Sequence, residues 1–461
     1  NTIYDYQTSK VIYVLRHGQD KIYYPVDDKY TLYYGKSSNV IEYKNKLKSK
    51  TISFKDRVDV INNLRNSGYD VFGDMNLSVY KNIQFRNENT ETEQPLRIAI
   101  IDIELFLNGN MMLLDNMNEA AKRYTISLVT LYDNFTDTYY TFINNSFKLN
   151  INKEDIIQHL DYKDECNIEI LEYPDERKML RAFITKFDEL DPDLVSGWNS
   201  NGFDWPLIIY RCQHLGIECK NRYGKIYIND RTKRPVIPCV VECDYLTLYK
   251  KRTFSKKESY SLNFITEHEL GIKKLTLDKR FDDMWLSDPN RFIAYNINDV
   301  HLVRKLDNKL KYIDVQFNII RATNISWEES FNTLPIIDGL LFTTLDKEGR
   351  TAIAKKYGNE RENDESTEKL KGAFVRKPLK GLYDWLADLD LSSLYPYIIA
   401  RYNISIDTYV GRVDEYIARE YIYNREDLLS QPDRLINYED KQLNIKQITV
   451  QKLHDTITKH N

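Results

Sequence analysis

In LRIAIIDIEL (residues 96–105), Asp102 and Glu104 stand two apart within an apolar run of strand length. Alternation along a strand puts both side chains on one face. Two acids on one face of so apolar a strand need a compensating charge, and hard divalent cations such as Mg2+ supply it because they prefer carboxylate oxygens. In FIAYNINDVHLVRKL (292–306), the spacing of Phe292, Ile293, Ile297, Val300, Leu302 and Val303 predicts a helix packed on a core. Tyr295 and Asp299 are four apart and share a face of it. A phenol one turn from a carboxylate can orient a water beside a metal. Between these segments, VSGWNSNGFDWPLI (195–208) runs an apolar strand through an Asn- and Gly-rich turn to Asp204, set between Phe203 and Trp205. Taken singly, each describes a surface pair or a capped turn better than a metal site. Together, in this order, they describe one constellation.

The elements that must position these residues can be read from the same periodicities. YTISLVTLYD and TDTYYTFIN, rich in β-branched and aromatic residues, predict neighbouring antiparallel strands after the first acid pair. DERKMLRAFITKFDELDP predicts a helix leading into the strand and turn before Asp204. Strands mixed with helices suggest an α/β domain over 96–325. Ahead of it, residues 1–95 mix β-like runs with polar helical stretches and end in RNENTETEQP, which reads as a boundary. Residues 326–370 turn helical and polar, with KYGNERENDESTEKLK as an expected exposed loop, and are expected to return to the amino-terminal domain. WLADLDLSSLYPYII then predicts a strand with embedded acids that opens a further unit over 371–461, whose tail after 411 is charged and helix-prone.

Composition narrows the function class. At 461 residues, with 42% hydrophobic and 29% charged residues, the chain has an ordinary folded balance spread over about three domains. Its 12 prolines and 16 glycines leave no obvious flexible linker. The net charge of −4 excludes binding of nucleic acid by bulk electrostatics, leaving local basic strips such as KNKLKSK (44–50), KKRTFSKK (250–257) and KGAFVRKPLK (371–380). The 35 tyrosines, alongside many Asn, Ile and Lys, look like a coding bias and blunt arguments from base stacking. Five cysteines form no disulfide framework, and CVVEC lacks a second ligand pair at zinc spacing. No apolar run approaches the length of a membrane span, and no signal peptide is present; an intracellular setting is expected.

DIE (102–104), GWNSNGFDWPLI (197–208) and YNINDV (295–300) resemble, in order and spacing, the proofreading 3′–5′ exonuclease of family B DNA polymerases, the DEDD type with a tyrosine in its last motif. The resemblance implies an α/β (α+β multidomain) chain: an RNase H-like 3′–5′ exonuclease domain flanked by an amino-terminal domain and a partial polymerase palm. It implies that Asp102, Glu104, Asp204 and Asp299 hold two Mg2+ or Mn2+ ions, that Tyr295 helps position the attacking water, and that Asn199 and Phe203 contact the terminal nucleotides. LADLDLSSLYPYII (386–399) resembles motif A of the family B palm, usually D-x-x-S-L-Y-P-S-I-I. On that match Asp390 is a metal-binding catalytic acid and Leu391 offers a backbone carbonyl to the metal. Ser393 and Leu394 contact the nucleotide triphosphate, and Tyr395 stacks under the incoming sugar. Tyr397 stands where the family usually has Ser, just outside that pocket. KGAFVRKP resembles the segment that grips template phosphates, which implies DNA contacts at Gly372 and Ala373. The resemblance covers roughly residues 96–411 and suits the T-even phage-like branch.

The fingers motif K-x-x-x-N-S-x-Y-G and the D-T-D hairpin of the palm do not occur among residues 412–461. One palm carboxylate cannot hold two metals. The expectation is therefore the amino-terminal part of a polymerase, from a split gene or a truncated form, acting on primer-template DNA and single-stranded 3′ ends. Deoxynucleoside triphosphates would be used only once a carboxy-terminal chain with fingers, the rest of the palm and thumb joins it. The resemblance also implies a sliding clamp as a possible partner, and a phage-encoded protein acting in host cytoplasm. Two alternatives are a non-catalytic DNA-binding and assembly subunit of a split polymerase, and a free-standing DEDD exonuclease, against which the motif around Asp390 speaks.

Overall fold

Alternation does place the first acid pair on a strand. In the computed structural model, β1 (Ile98–Phe106) is the middle of a six-stranded mixed sheet. The structure describes residues 2–5, 10–17, 20–37, 39–88, 95–109, 116–160, 167–272, 280–355, 374–405, 408–440 and 444–460. The other strands are β2 (Thr125–Asp133), β3 (Thr138–Asn144), β4 (Asn167–Tyr173), β5 (Leu194–Gly197) and β6 (Val241–Asp244). Their order is β4-β3-β2-β1-β5-β6. β1, β2 and β3 pair antiparallel, as the two β-branched runs predict, while β4 joins β3, and β5 and β6 join β1, in parallel. Parallel neighbours need crossovers, and helices supply them. The result is the expected RNase H-like arrangement.

Both faces of this sheet are covered, which is why β2 is buried almost throughout. On one face Ile101, Ile103, Val129 and Phe142 meet two helices, α1 (Glu176–Leu190) and α2 (Asp204–His214). α1 is amphipathic, with Met179, Leu180, Phe183, Ile184 and Phe187 on its buried stripe and Asp175 accepting from Lys178 N at its start. Each such side chain contributes about 1.5–3 kcal/mol of burial. The other face carries Ile100, Leu128 and Tyr139 under the long helix α4 (Pro289–Leu310), with α3 (Tyr245–Arg252) beside it. Asp288 caps α4 at Arg291 N and Pro289 occupies its first turn, so the helix starts sharply.

The chain divides into two compact units, residues 1–28 with 75–344, and residues 29–74 with 345–461. Residues 1–95, read from the sequence as one domain, are thus shared between them. Lys21 explains part of this: its buried ammonium donates to Asp191 Oδ1, Pro192 O and Cys239 O of the first unit. In the second unit Arg350–Ala352 pairs antiparallel with Ile41–Tyr43, and Lys44 forms an ion pair with Asp346. The charged loop expected at 356–371 lies outside the described residues.

Two expectations for the second unit do not match. The segment 386–391 is exposed and forms no strand, and is followed by a helix at Leu394–Arg401. A strand exists only through a partner that takes its backbone groups, and no described segment pairs with it. The tail after 411 is not simply helical: Gly411–Val413, Leu435–Asp440 and Ile445–Thr449 form an antiparallel sheet. Ile436 and Ile448 pack there with Ile417, Tyr421 and Leu453 of the flanking helices. No helix among the described residues is long and apolar enough to cross a membrane.

Candidate metal centre

β1 holds Asp102 and Glu104 half-buried on the α4 face, with Ile101, Ile103 and Leu105 buried on the other. Opposite Glu104 and Leu105 the pairing jumps from Leu128 to Ile126, a bulge that bends the strand just beyond the two acids. α4 crosses the same face and brings in Asp299. One carboxylate oxygen from each of Asp102, Glu104 and Asp299 lies within 4.8 Å of the others. Unit charges that close repel by about 3 kcal/mol per pair at an effective dielectric near 20. That spacing is compatible with Mg2+–oxygen distances of about 2.1 Å, so the three acids would fit a hard divalent cation. An all-carboxylate donor set suits Mg2+ or Mn2+ rather than softer metals.

Asp204 reaches the same place from the opposite face. β5 pairs with β1 only as far as Ile100 and then turns away at Gly197. The ladder position vacated beyond it is taken by Asp204, whose Oδ1 accepts from Ile103 N at 3.1 Å, between the two acids of β1. Only glycine allows the turn so close to β1, since a Cβ at 197 would stand 2.7 Å from Ile101 O. Asn199 follows in the left-handed region at φ 66°; its carbonyl accepts from Gly202 N and Phe203 N, and its N–H donates to Asp244 Oδ1 at 3.0 Å. Burial, with the charges of Asp244 and Asp299 adding to it, pushes the Asp204 carboxyl up to about 7.

Glu242 continues this acidic interior. Ser200 Oγ donates to its Oε1 at 2.9 Å, and burial, reinforced by Asp244 and Asp204, raises its carboxyl to about 8. A carboxyl raised on folding holds a proton that the unfolded chain releases, so its stabilising contribution is present at low pH and is lost as pH rises. Asp204 and Glu242 act in the same direction, Asp204 up to about pH 7 and Glu242 up to about pH 8. In EDTA, urea unfolding midpoints should therefore fall from pH 5 to pH 8, by at most about 1.4 kcal/mol per pH unit for each group. Glu242→Gln keeps an acceptor for Ser200 and should flatten the fall between pH 7 and 8. An unchanged slope there would show that Glu242 is already ionised at neutral pH.

Other predicted positions separate. Tyr295 is buried one turn before Asp299, its ring against Phe281 and Phe292 at centroid distances of 5.9 and 6.5 Å. Asn199 is exposed and Phe203 half-buried on the turn that ends at Asp204. Asp390, Leu391, Ser393, Leu394 and Tyr395 belong to the second unit and are exposed, with Ser393 at φ 58°. Gly372 and Ala373 lie outside the described residues. Three contributors escaped the sequence reading. Asn296 donates to Asp102, Asp244 ties the turn at Asn199 to the start of α3 through Leu246 N and Thr247 Oγ1, and Glu242 holds Ser200. A polar Asn on the core face of α4 and an Asp just before the helical run YLTLYKK were the available signals.

Two segments of the chain match models of one known family. The family model described as "DNA polymerase family B, exonuclease domain" matches residues 57–265, and that described as "DNA polymerase family B" matches residues 336–449. The first range includes Asp102, Glu104 and Asp204, the second includes Asp390, and Tyr295 and Asp299 fall between them. The DNA-directed DNA polymerase of Escherichia phage RB69 is 28% identical over 366 residues, 75% of this chain and 39% of that protein. That of Enterobacteria phage T4 is 28% identical over 393 residues, 80% of this chain and 42% of that protein. The DNA polymerase of Pyrococcus glycovorans is 27% identical over 243 residues, 50% of this chain and 31% of that protein. The chain spans about two fifths of the length of the two phage relatives. An RNase H-like sheet within one matched segment, followed by a second match to the same family farther along the chain, leads to a single assignment: this chain belongs to the family B DNA polymerases.

Proposed function

We propose that this chain removes nucleotides from DNA 3′ ends as the proofreading exonuclease of a replicative family B polymerase. The observation that carries the reading is the convergence of Asp102, Glu104 and Asp299 within 4.8 Å, with Asp204 bonded to the backbone between the first two. These four acids would hold two Mg2+ or Mn2+ ions. Such ions, when bound, lower the pKa of an attacking water and stabilise the leaving 3′ oxygen. The protein's own groups then have two tasks. Tyr295, one helical turn from Asp299, orients the water, and Asn199 and Phe203, at the exposed rim of the Asp204 turn, receive the terminal nucleotides. A side chain acting as a strong base is not required.

For the second unit the proposal is the opening of a palm, with Asp390 and the carbonyl of Leu391 at a metal, and Ser393, Leu394 and Tyr395 at a nucleotide. Template contact by Gly372 and Ala373, a carboxy-terminal polymerase chain, a sliding clamp and a phage origin belong to the same reading. A second reading, a non-catalytic assembly subunit, is favoured by one observation. Leu382 and Trp385 are 99% and 101% exposed among a run of exposed apolar residues at 374–404. Exposed apolar stretches of this kind mark surfaces that other protein covers.

The test uses a 5′-labelled primer on a longer template with Mg2+, with and without deoxynucleotides, resolved on a denaturing gel. Shortening in both lanes, abolished by EDTA, is the expected result. Extension would show that polymerase chemistry is complete in these 461 residues, and an inert primer would favour the assembly reading.

A further inference from the structure

Asn296 sits on α4 between Tyr295 and Asp299 and is completely buried. Its Nδ2 donates to Asp102 Oδ2 at 2.6 Å. A carboxylate only accepts, so the amide must present its NH2 group to Asp102. The other end of the same amide, Oδ1, is then buried without a hydrogen-bond partner among the described residues. A buried acceptor left unmet is costly. Polar groups that lower stability in this way collect where function needs them. Asp102 is one of three acids gathered here, and Asn296 occupies the same helix face as Asp299, three residues on.

We propose that Asn296 is a positioning residue of the metal centre: by donating to Oδ2 of Asp102 it fixes the rotation of that carboxylate and leaves Oδ1 for a divalent cation. This rests on the exonuclease reading above. Asn296 is completely buried. It acts through Asp102, as groups hydrogen-bonded to metal ligands do in general. Because it is neutral, it orients the carboxylate without cancelling the charge that attracts the cation, which a Lys or Arg in its place would do.

The test is titration of the whole chain with Mn2+, following free Mn2+ by electron paramagnetic resonance, for the wild type, Asn296→Leu and Asn296→Ala. Asn296→Leu should weaken Mn2+ binding by about 10–100-fold while the metal-free protein stays folded by circular dichroism. Asn296→Ala cannot overpack the helix and answers the same question if the leucine variant does not fold. Wild-type Mn2+ affinity in a folded variant, with or without a lower melting temperature, would reduce Asn296 to a packing residue and overturn the proposal. A wild-type chain that leaves all Mn2+ free would remove the metal centre itself, and the exonuclease reading with it.

Discussion

Replacing Asp102 and Glu104 together by alanine is expected to slow metal-dependent trimming of a DNA 3′ end by on the order of a thousandfold or more, which corresponds to about 4 kcal/mol of transition-state stabilisation. The expectation follows from position. Both side chains project from one face of β1 toward Asp299, and one oxygen from each of the three lies within 4.8 Å of the others. Stability should move the other way. With two of the three crowded carboxylates gone, the repulsion of about 3 kcal/mol per pair disappears, so the metal-free double variant should unfold at no lower urea concentration than the wild type. Loss of trimming with intact folding separates a catalytic role from a structural one. Trimming at the wild-type rate by a folded double variant would remove these acids from the mechanism.

The largest expected effect on stability lies away from the acids, at Arg211. This residue of α2 makes a two-pronged pair with Glu176 at the start of α1, at 2.7 and 2.6 Å, and donates to Ala121 O at 2.8 Å. Glu176 Oε1 also accepts from Ile126 N, the residue beside the β1–β2 bulge. One buried ion pair therefore joins α1, α2 and the bulged strand. Arg211 and Glu176 are only 11% and 7% exposed, so removing one partner leaves an uncompensated buried charge. Arg211→Met is expected to cost about 3–5 kcal/mol in urea unfolding. Adding Glu176→Gln should recover part of the loss, because the neutral amide can still accept from Ile126 N without a buried charge. A cost below about 1 kcal/mol for the single change, the value of an exposed pair, would show that water reaches this site. Because α2 begins at Asp204, loosening it should also weaken Mn2+ binding.

Local pattern was enough for the elements that carry the site. Alternation placed Asp102 and Glu104 on one strand face, β-branched runs marked β2 and β3, and the 3.6-residue period marked α1 and α4, because each of these buries a face whose period shows in the residue types. The parts that failed depend on partners elsewhere in the chain. The segment before Asp390 reads as a strand by composition, but a strand needs a neighbour, and none of the described residues supplies one. The strands at 435–440 and 445–449 exist because they find each other, which a charged, helix-prone composition conceals.

At the centre itself, sequence alone determined the identity and order of Asp102, Glu104, Asp204, Tyr295 and Asp299, since residue type and spacing are local properties. Only the tertiary structure decided that Asp204 would fill the hydrogen-bonding position beside Ile103 that β5 leaves open, that Asn296 would turn inward to Asp102, and that Glu242 and Asp244 would back the turn from behind. Those outcomes arise from contacts between residues as much as 194 positions apart. They are set by which strands lie side by side and where each one stops, and no local period encodes that.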